Sequence, residues 1–149
     1  MESGNTLRWT DALSIGNPHI DKEHVRIIEL YNKLADGLSK GLDRRQFAEI
    51  LSGMFDYSLF HFKHEELYMK LIEYPELDAH KEQHKAYILH VSQLNANFFS
   101  PDSTEPEVIL TFLGNWWRNH IQKADKQYEL YKQAHHPEMD IDWELLWLS

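Results

Sequence analysis

Residues 54–72 read MFDYSLFHFKHEELYMKLI. Upstream and into this stretch, Phe47, Ile50, Leu51, Met54, Phe55, Leu59 and Phe62 recur at intervals of three and four. That period predicts one amphipathic helix from about Asp43 to Ile72. Yet its core-like centre carries His61, His64, Glu65 and Glu66. Titratable side chains are costly to bury unless something pairs with them. On an ideal helix, positions four apart differ by about 40° and sit one turn apart. His61 and Glu65 therefore stack on one face. A helix of this kind needs neighbours that meet a polar interior, not a purely apolar one.

The rest of the chain supplies them. From about Asp21, Val25, Ile28, Leu30, Tyr31, Leu34 and Leu38 trace a first helix. DGLSKGLD, residues 36–43, ends it with two glycines. EYPELD, residues 73–78, interrupts at Pro75, and a third helix covers about Leu77 to Phe99. SPDSTEP, residues 100–106, is a polar loop whose Pro106 suits a helix start. The fourth helix runs from about Glu107 to His135. Four long helices with short connections predict an all-α fold, an up-down-up-down antiparallel four-helix bundle. The expected organisation is one domain over 1–149: an N-terminal extended arm over 1–20, a bundle over about 21–135 and a short tail over 136–149. In the tail, Trp143, Leu146 and Trp147 fall at helical spacing after Pro137. That face is expected to fold back on the bundle, with a protein-binding patch or a junction to further chain as the other candidates.

Bulk properties narrow the function. The formal net charge is −9, which argues against nucleic acid and is most simply a solvated exterior. Cysteine is absent, which excludes disulfides, iron–sulfur clusters and thiolate zinc sites. No apolar run is long enough to span a bilayer and no secretory leader is visible, so the expected location is cytoplasmic, away from membranes. Ten histidines are the conspicuous excess.

Several of those histidines fall in a pattern that suits metal. His80 and His84 repeat the four-residue spacing, His24 lies near the start of the first helix, and His120 and Asp125 lie on the fourth. A gap of five turns about 140° on an ideal helix. Either Asp125 reaches round, or the helix widens locally as π-bulges at functional sites do. Every helix thus offers a ligand-type residue to a shared interior. Five imidazoles and two carboxylates are too many for one tetrahedral zinc. They suit two ions, with iron favoured by the mixture of nitrogen and oxygen.

The motifs Trp9…Ile20-Asp21…His24, HFKHEELYM (61–69), HKEQH (80–84) and WWRNHIQKAD (116–125) occur in this order. Together they resemble the hemerythrins, specifically bacterial hemerythrin-like domains, over roughly residues 7–131. The resemblance implies two iron ions (Fe2+/Fe3+) joined by an oxo or hydroxo bridge. His80, His84 and His120 would hold one, His24 and His61 the other, with Glu65 and Asp125 bridging. Dioxygen would bind reversibly at the open position of the two-histidine iron, for storage, delivery or sensing, without enzymatic turnover. The alternatives are a di-iron oxidase or peroxidase, or a redox- or oxygen-sensing signalling module. Ferritin-like di-iron enzymes use Glu-x-x-His pairs, and the chain contains none. His64 is expected on the solvent side or packed, Glu66 beside the ligands or exposed, and His19 in the arm. His90, His135 and His136 are expected in solvent. Trp117 stands where such domains often carry leucine.

Overall fold

The computed structural model describes residues 6–148. Gly4, part of the expected arm, lies outside them. A 3-10 turn (Asp11–Leu13) precedes α1 (Pro18–Ser39), α2 (Arg44–Leu71), α3 (Leu77–Ala96) and α4 (Pro106–Asn119). A π-helical segment (His120–Asp125) then joins α4 to α5 (Lys126–His135), and α6 (Trp143–Leu148) ends the described chain. α4, the π segment and α5 form one continuous fourth rod. No strand occurs among the described residues.

Local chemistry sets the boundaries. Asp43 and Gln46 form a reciprocal capping box at the start of α2. α1 begins at Pro18, not near Asp21 as its apolar period suggests. The Asn17 side chain accepts from His19 N and Ile20 N, and Pro18 takes the first-turn position where its missing N–H costs nothing. The arm is correspondingly shorter, and it is anchored rather than loose. Leu7, Leu13 and Ile15 are buried, and Asn32 bonds both the N–H and the carbonyl of Leu7. α3 stops at Ala96, three residues before Phe99.

Side-chain meetings give the topology. His24, early in α1, meets Asp125, late in the fourth rod. Glu23 meets His61, late in α2. Glu66, late in α2, meets His84, early in α3, and His84 meets His120. Successive rods therefore run in opposite directions, as the up-down-up-down bundle requires. An apolar layer fills the far end: Phe47 stacks on Phe98 at 5.3 Å, and Ile27, Leu34, Met54 and Val91 are fully buried. α4 approaches α1 so closely that a Cβ on Gly114 would lie 2.8 Å from the Tyr31 hydroxyl.

The tail lies on the bundle. The Trp143 ring is held between His19, at 4.5 Å and 11°, and Tyr68, at 5.1 Å and 25°. Leu146 is buried against α2. His19 thus belongs to α1 and supports the tail, and this packing gives no support to a protein partner docking there. No helix among the described residues is long and apolar enough to cross a membrane.

Candidate metal centre

Each of the four rods sends polar side chains into one interior layer. His24, His61, Glu65 and Asp125 are fully buried, and His80, His84 and His120 are at most 5% exposed. Donor atoms of Glu65, His80, His84, His120 and Asp125 all lie within 4.8 Å of one another. So do those of His24, His61, Glu65 and Asp125. The two groups share Glu65 and Asp125, which places those carboxylates between three histidines on one side and two on the other. All seven side chains singled out in the sequence meet here.

The fourth rod brings Asp125 into register by widening. The π segment spans His120 to Asp125, the interval whose five-residue gap would misdirect an α-helix. Winding closed by i to i+5 hydrogen bonds puts residues five apart on one face. Asp125 Oδ1 lies 3.1 Å from His120 Nε2 and 3.0 Å from His80 Nε2, and Oδ2 lies 3.0 Å from His24 Nε2.

These short distances are not a satisfied hydrogen-bond network. His24 Nδ1 and Nε2, His61 Nε2, His80 Nε2, both Glu65 oxygens and both Asp125 oxygens are buried without a hydrogen-bond partner. Orphaned buried groups on this scale are rare in native proteins. The tautomers explain what is missing. His61 Nδ1 donates to Glu23 Oε1 at 2.8 Å, His84 Nδ1 to Glu66 Oε2 at 2.8 Å, and His120 Nδ1 to Gln83 Oε1 at 3.1 Å. With those protons held outward, all three Nε2 atoms point inward. His84 and His120 then face each other Nε2 to Nε2 at 3.1 Å, lone pair against lone pair. His61 Nε2 is pressed against Glu65 Oε1, where a proton or a cation can sit. Two donors about 2.1 Å from a common cation at right angles lie about 3.0 Å apart. The donor set fits cations between these atoms.

Electrostatics agree. Burial alone would lift the Asp125 pKa, but His120, His24 and His80 hold it well below the usual carboxylate range. Burial and Asp125 push Glu65 up, yet His61 and His24 bring it to about 2. Burial pulls His61 down, but Glu65 and Glu23 raise it to about 10. His24 and His80 are also raised against burial, chiefly by Asp125, whereas burial lowers His84 despite Glu66. Two carboxylates remain anionic in a dry interior, and positive charge is drawn toward them.

Aromatic rings close the layer. Phe62 stacks on His84 at 3.9 Å, and Trp116 on His120 at 4.3 Å. Trp117 is buried 5.9 Å from the His61 ring, with its Nε1–H bonded to the Tyr87 hydroxyl at 3.0 Å. A cavity of about 480 Å³ opens outside His80 and His120, lined also by Tyr74, Gln83, Trp116 and Lys123. His90, His135 and His136 stay outside the layer, His90 against Phe112 and the other two against Tyr131.

Sequence reasoning left out Glu23 and Gln83. A carboxylate next to His24 and an amide next to His84 were the available signals, but their partners lie on other helices. His64 is packed: buried, with Nδ1 2.7 Å from Glu23 Oε2.

Residues 16–129 match the family model described as "Hemerythrin HHE cation binding domain". The bacteriohemerythrin of Stenotrophomonas maltophilia (strain R551-3) is 34% identical over 129 residues, covering 87% of this chain and 83% of that protein. The bacteriohemerythrin of Methylococcus capsulatus is 32% identical, covering 82% and 93%. A crystal structure of wild-type hemerythrin superposes with a TM-score of 0.77 at 30% identity, covering 83% of this chain and 95% of that one. By fold, by the order of its motifs and by these matches, the chain belongs to the hemerythrin family.

Proposed function

We propose that this protein holds two iron ions and binds dioxygen reversibly, as a carrier, store or sensor and not as an enzyme. The observation that carries the reading is the pair of overlapping donor groups that share Glu65 and Asp125. In this reading His80, His84 and His120 hold one ion, His24 and His61 the other, and the two carboxylates bridge. When bound, the metal pair supplies reversible one-electron oxidation at each ion, and with it dioxygen capture and release. Two irons with an oxo or hydroxo bridge suit the inward atoms better than protons alone do, because His84 and His120 hold their protons outward and still face each other Nε2 to Nε2.

The chain contributes orientation, charge and dryness. Glu23, Glu66 and Gln83 fix the ring planes and tautomers of His61, His84 and His120, which sharpens their donor character. Neutral imidazoles add no charge, so two carboxylates and a bridging hydroxide offset most of the cationic charge, a tolerable balance when buried. Phe62 and Trp117 shield the site with apolar surface, which admits a small apolar molecule and discourages escape of charged oxygen species into water.

The test is metal analysis combined with an oxygenation spectrum. The expected result is two irons per chain, a pale anaerobic reduced form, a visible band on adding dioxygen, and loss of that band on purging. Immediate, irreversible conversion to the ferric form would favour oxidase or peroxidase chemistry at the same centre and overturn carriage.

A further inference from the structure

His64 sits inside the HFKHEE stretch, one residue before Glu65, and donates to no iron in the reading above. It is nevertheless 2% exposed, and its Nδ1–H donates to Glu23 Oε2 at 2.7 Å. The other oxygen of the same carboxylate accepts from His61 Nδ1 at 2.8 Å. Glu23 is itself buried, with both oxygens committed to two imidazoles one turn apart on α2. The His64 and Phe60 rings meet edge to face, 4.2 Å apart at 67°.

We propose that His64 is a positioning residue for the two-histidine end of the centre, acting through Glu23 on His61. The inference rests on the di-iron reading. A carboxylate rotates easily about its last torsion, whose energy profile is broad. One hydrogen bond therefore leaves Glu23 a soft support for His61. A second donor from the same helix turns it into a two-point clamp, and both bonds are strengthened by the carboxylate charge. The clamp holds a proton on His61 Nδ1 and keeps Nε2 turned toward Glu65. The three-histidine end is supported differently: Glu66, about a quarter exposed, serves His84, and Gln83, at the surface, serves His120. Water reaches those supports more readily than it reaches the Glu23–His64 pair, which is 5% and 2% exposed.

The experiment compares metal-free wild type, His64→Leu and His64→Asn, each titrated anaerobically with Fe(II) and each melted without metal. Leucine keeps bulk and removes the donor; asparagine restores an N–H close to the Nδ1 position without the ring. His64→Leu is expected to weaken one equivalent of iron about 10–100-fold, the usual scale for losing such a support, and to leave the other unchanged. His64→Asn is expected to recover to within roughly threefold of wild type. Two equivalents of wild-type affinity in His64→Leu would overturn the proposal. So would His64→Asn binding as weakly as His64→Leu, because ring packing would then be the cause. Wild type that fails to take up two irons overturns the di-iron reading itself, a separate result. If His64→Leu does not fold, Glu23→Gln replaces it. Its amide turns an N–H toward one of the two imidazole donors, so it is expected to weaken the same equivalent while His64→Asn does not.

Discussion

Glu23, Glu66 and Gln83 decide where three imidazole protons sit, and so what the interior of the bundle offers to a cation. His61 is the sensitive case. In the chain without metal it lies between Glu65 and Glu23, which together outweigh burial and raise its pKa to about 10. A raised histidine pKa gives stability that is complete below the ordinary value of about 6.5 and lost as pH rises through the folded value. The metal-free chain thus enters neutral solution with that imidazole protonated, and a cation at Nε2 must displace the proton. Anaerobic Fe(II) added to a weakly buffered metal-free sample near pH 7 is expected to acidify it, and apparent affinity is expected to rise between about pH 6 and pH 8. A pH indicator reads the first effect, and an unchanged indicator would show that His61 is already neutral. At this scale the sequence was informative about donors and silent about acceptors. His24, His61, Glu65, His80, His84, His120 and Asp125 are visible through spacing within single helices. Glu23 to His61 and Gln83 to His120 cross between helices, 38 and 37 residues apart, where periodicity carries no information.

At the scale of elements, α1 to α3 follow the apolar period to within a few residues; caps at Asn17 and Asp43 set the starts of α1 and α2, while α3 begins without a side-chain cap. The fourth rod could be read either as a helix with an outstretched Asp125 or as a widened one. Only backbone hydrogen bonding distinguishes the two, and the widened form is found. Contact between rods yields a paired prediction. Ala in place of a helical Gly gains up to about 1 kcal/mol from propensity. Gly53 has nothing within 4 Å of an added Cβ, so Gly53→Ala is expected to stabilise by about 0.5–1 kcal/mol. At Gly114 the same methyl group would meet Tyr31, which is 2% exposed and has nowhere to swing. Overpacking of this kind costs about 1–3 kcal/mol, so Gly114→Ala is expected to destabilise by about 1 kcal/mol net. Urea midpoints of the two variants, moving in opposite directions, check the account.

For the whole molecule, connections outside the bundle tie the rods together. Arg44 donates to the Phe98 carbonyl at 2.7 Å and to Ser103 Oγ at 2.8 Å, and its guanidinium lies 4.2 Å from the Phe98 ring. This fastens the long polar loop to the start of α2. At the opposite end Trp143 joins α1 to α2 through His19 and Tyr68, and Tyr68 donates to the buried Glu129 at 2.6 Å. Trp143→Ala is expected to cost about 1–2 kcal/mol, the value of a half-buried aromatic side chain with its stacking. Iron stoichiometry should stay at the wild-type value, since Trp143 touches none of the seven site residues. Thermal melts and metal analysis check both, and loss of iron would place the tail in the centre's support. Helical spacing of Trp143, Leu146 and Trp147 was legible, but their resting place was not, because it depends on which bundle face offers a complementary ring.

The widened turn at residues 120–125 has one more consequence. Every residue in an α-helix advances the direction of its side chain by about 100°. A rod that spends one extra residue on a single turn resets the bearing of everything downstream. Tyr128 and Glu129 owe their inward heading to that reset as much as Asp125 does. Excising one residue from 121–124 would therefore do more than straighten a coil: it would swing the whole distal segment out of alignment with α1 and α2, like a thread cut with the wrong pitch.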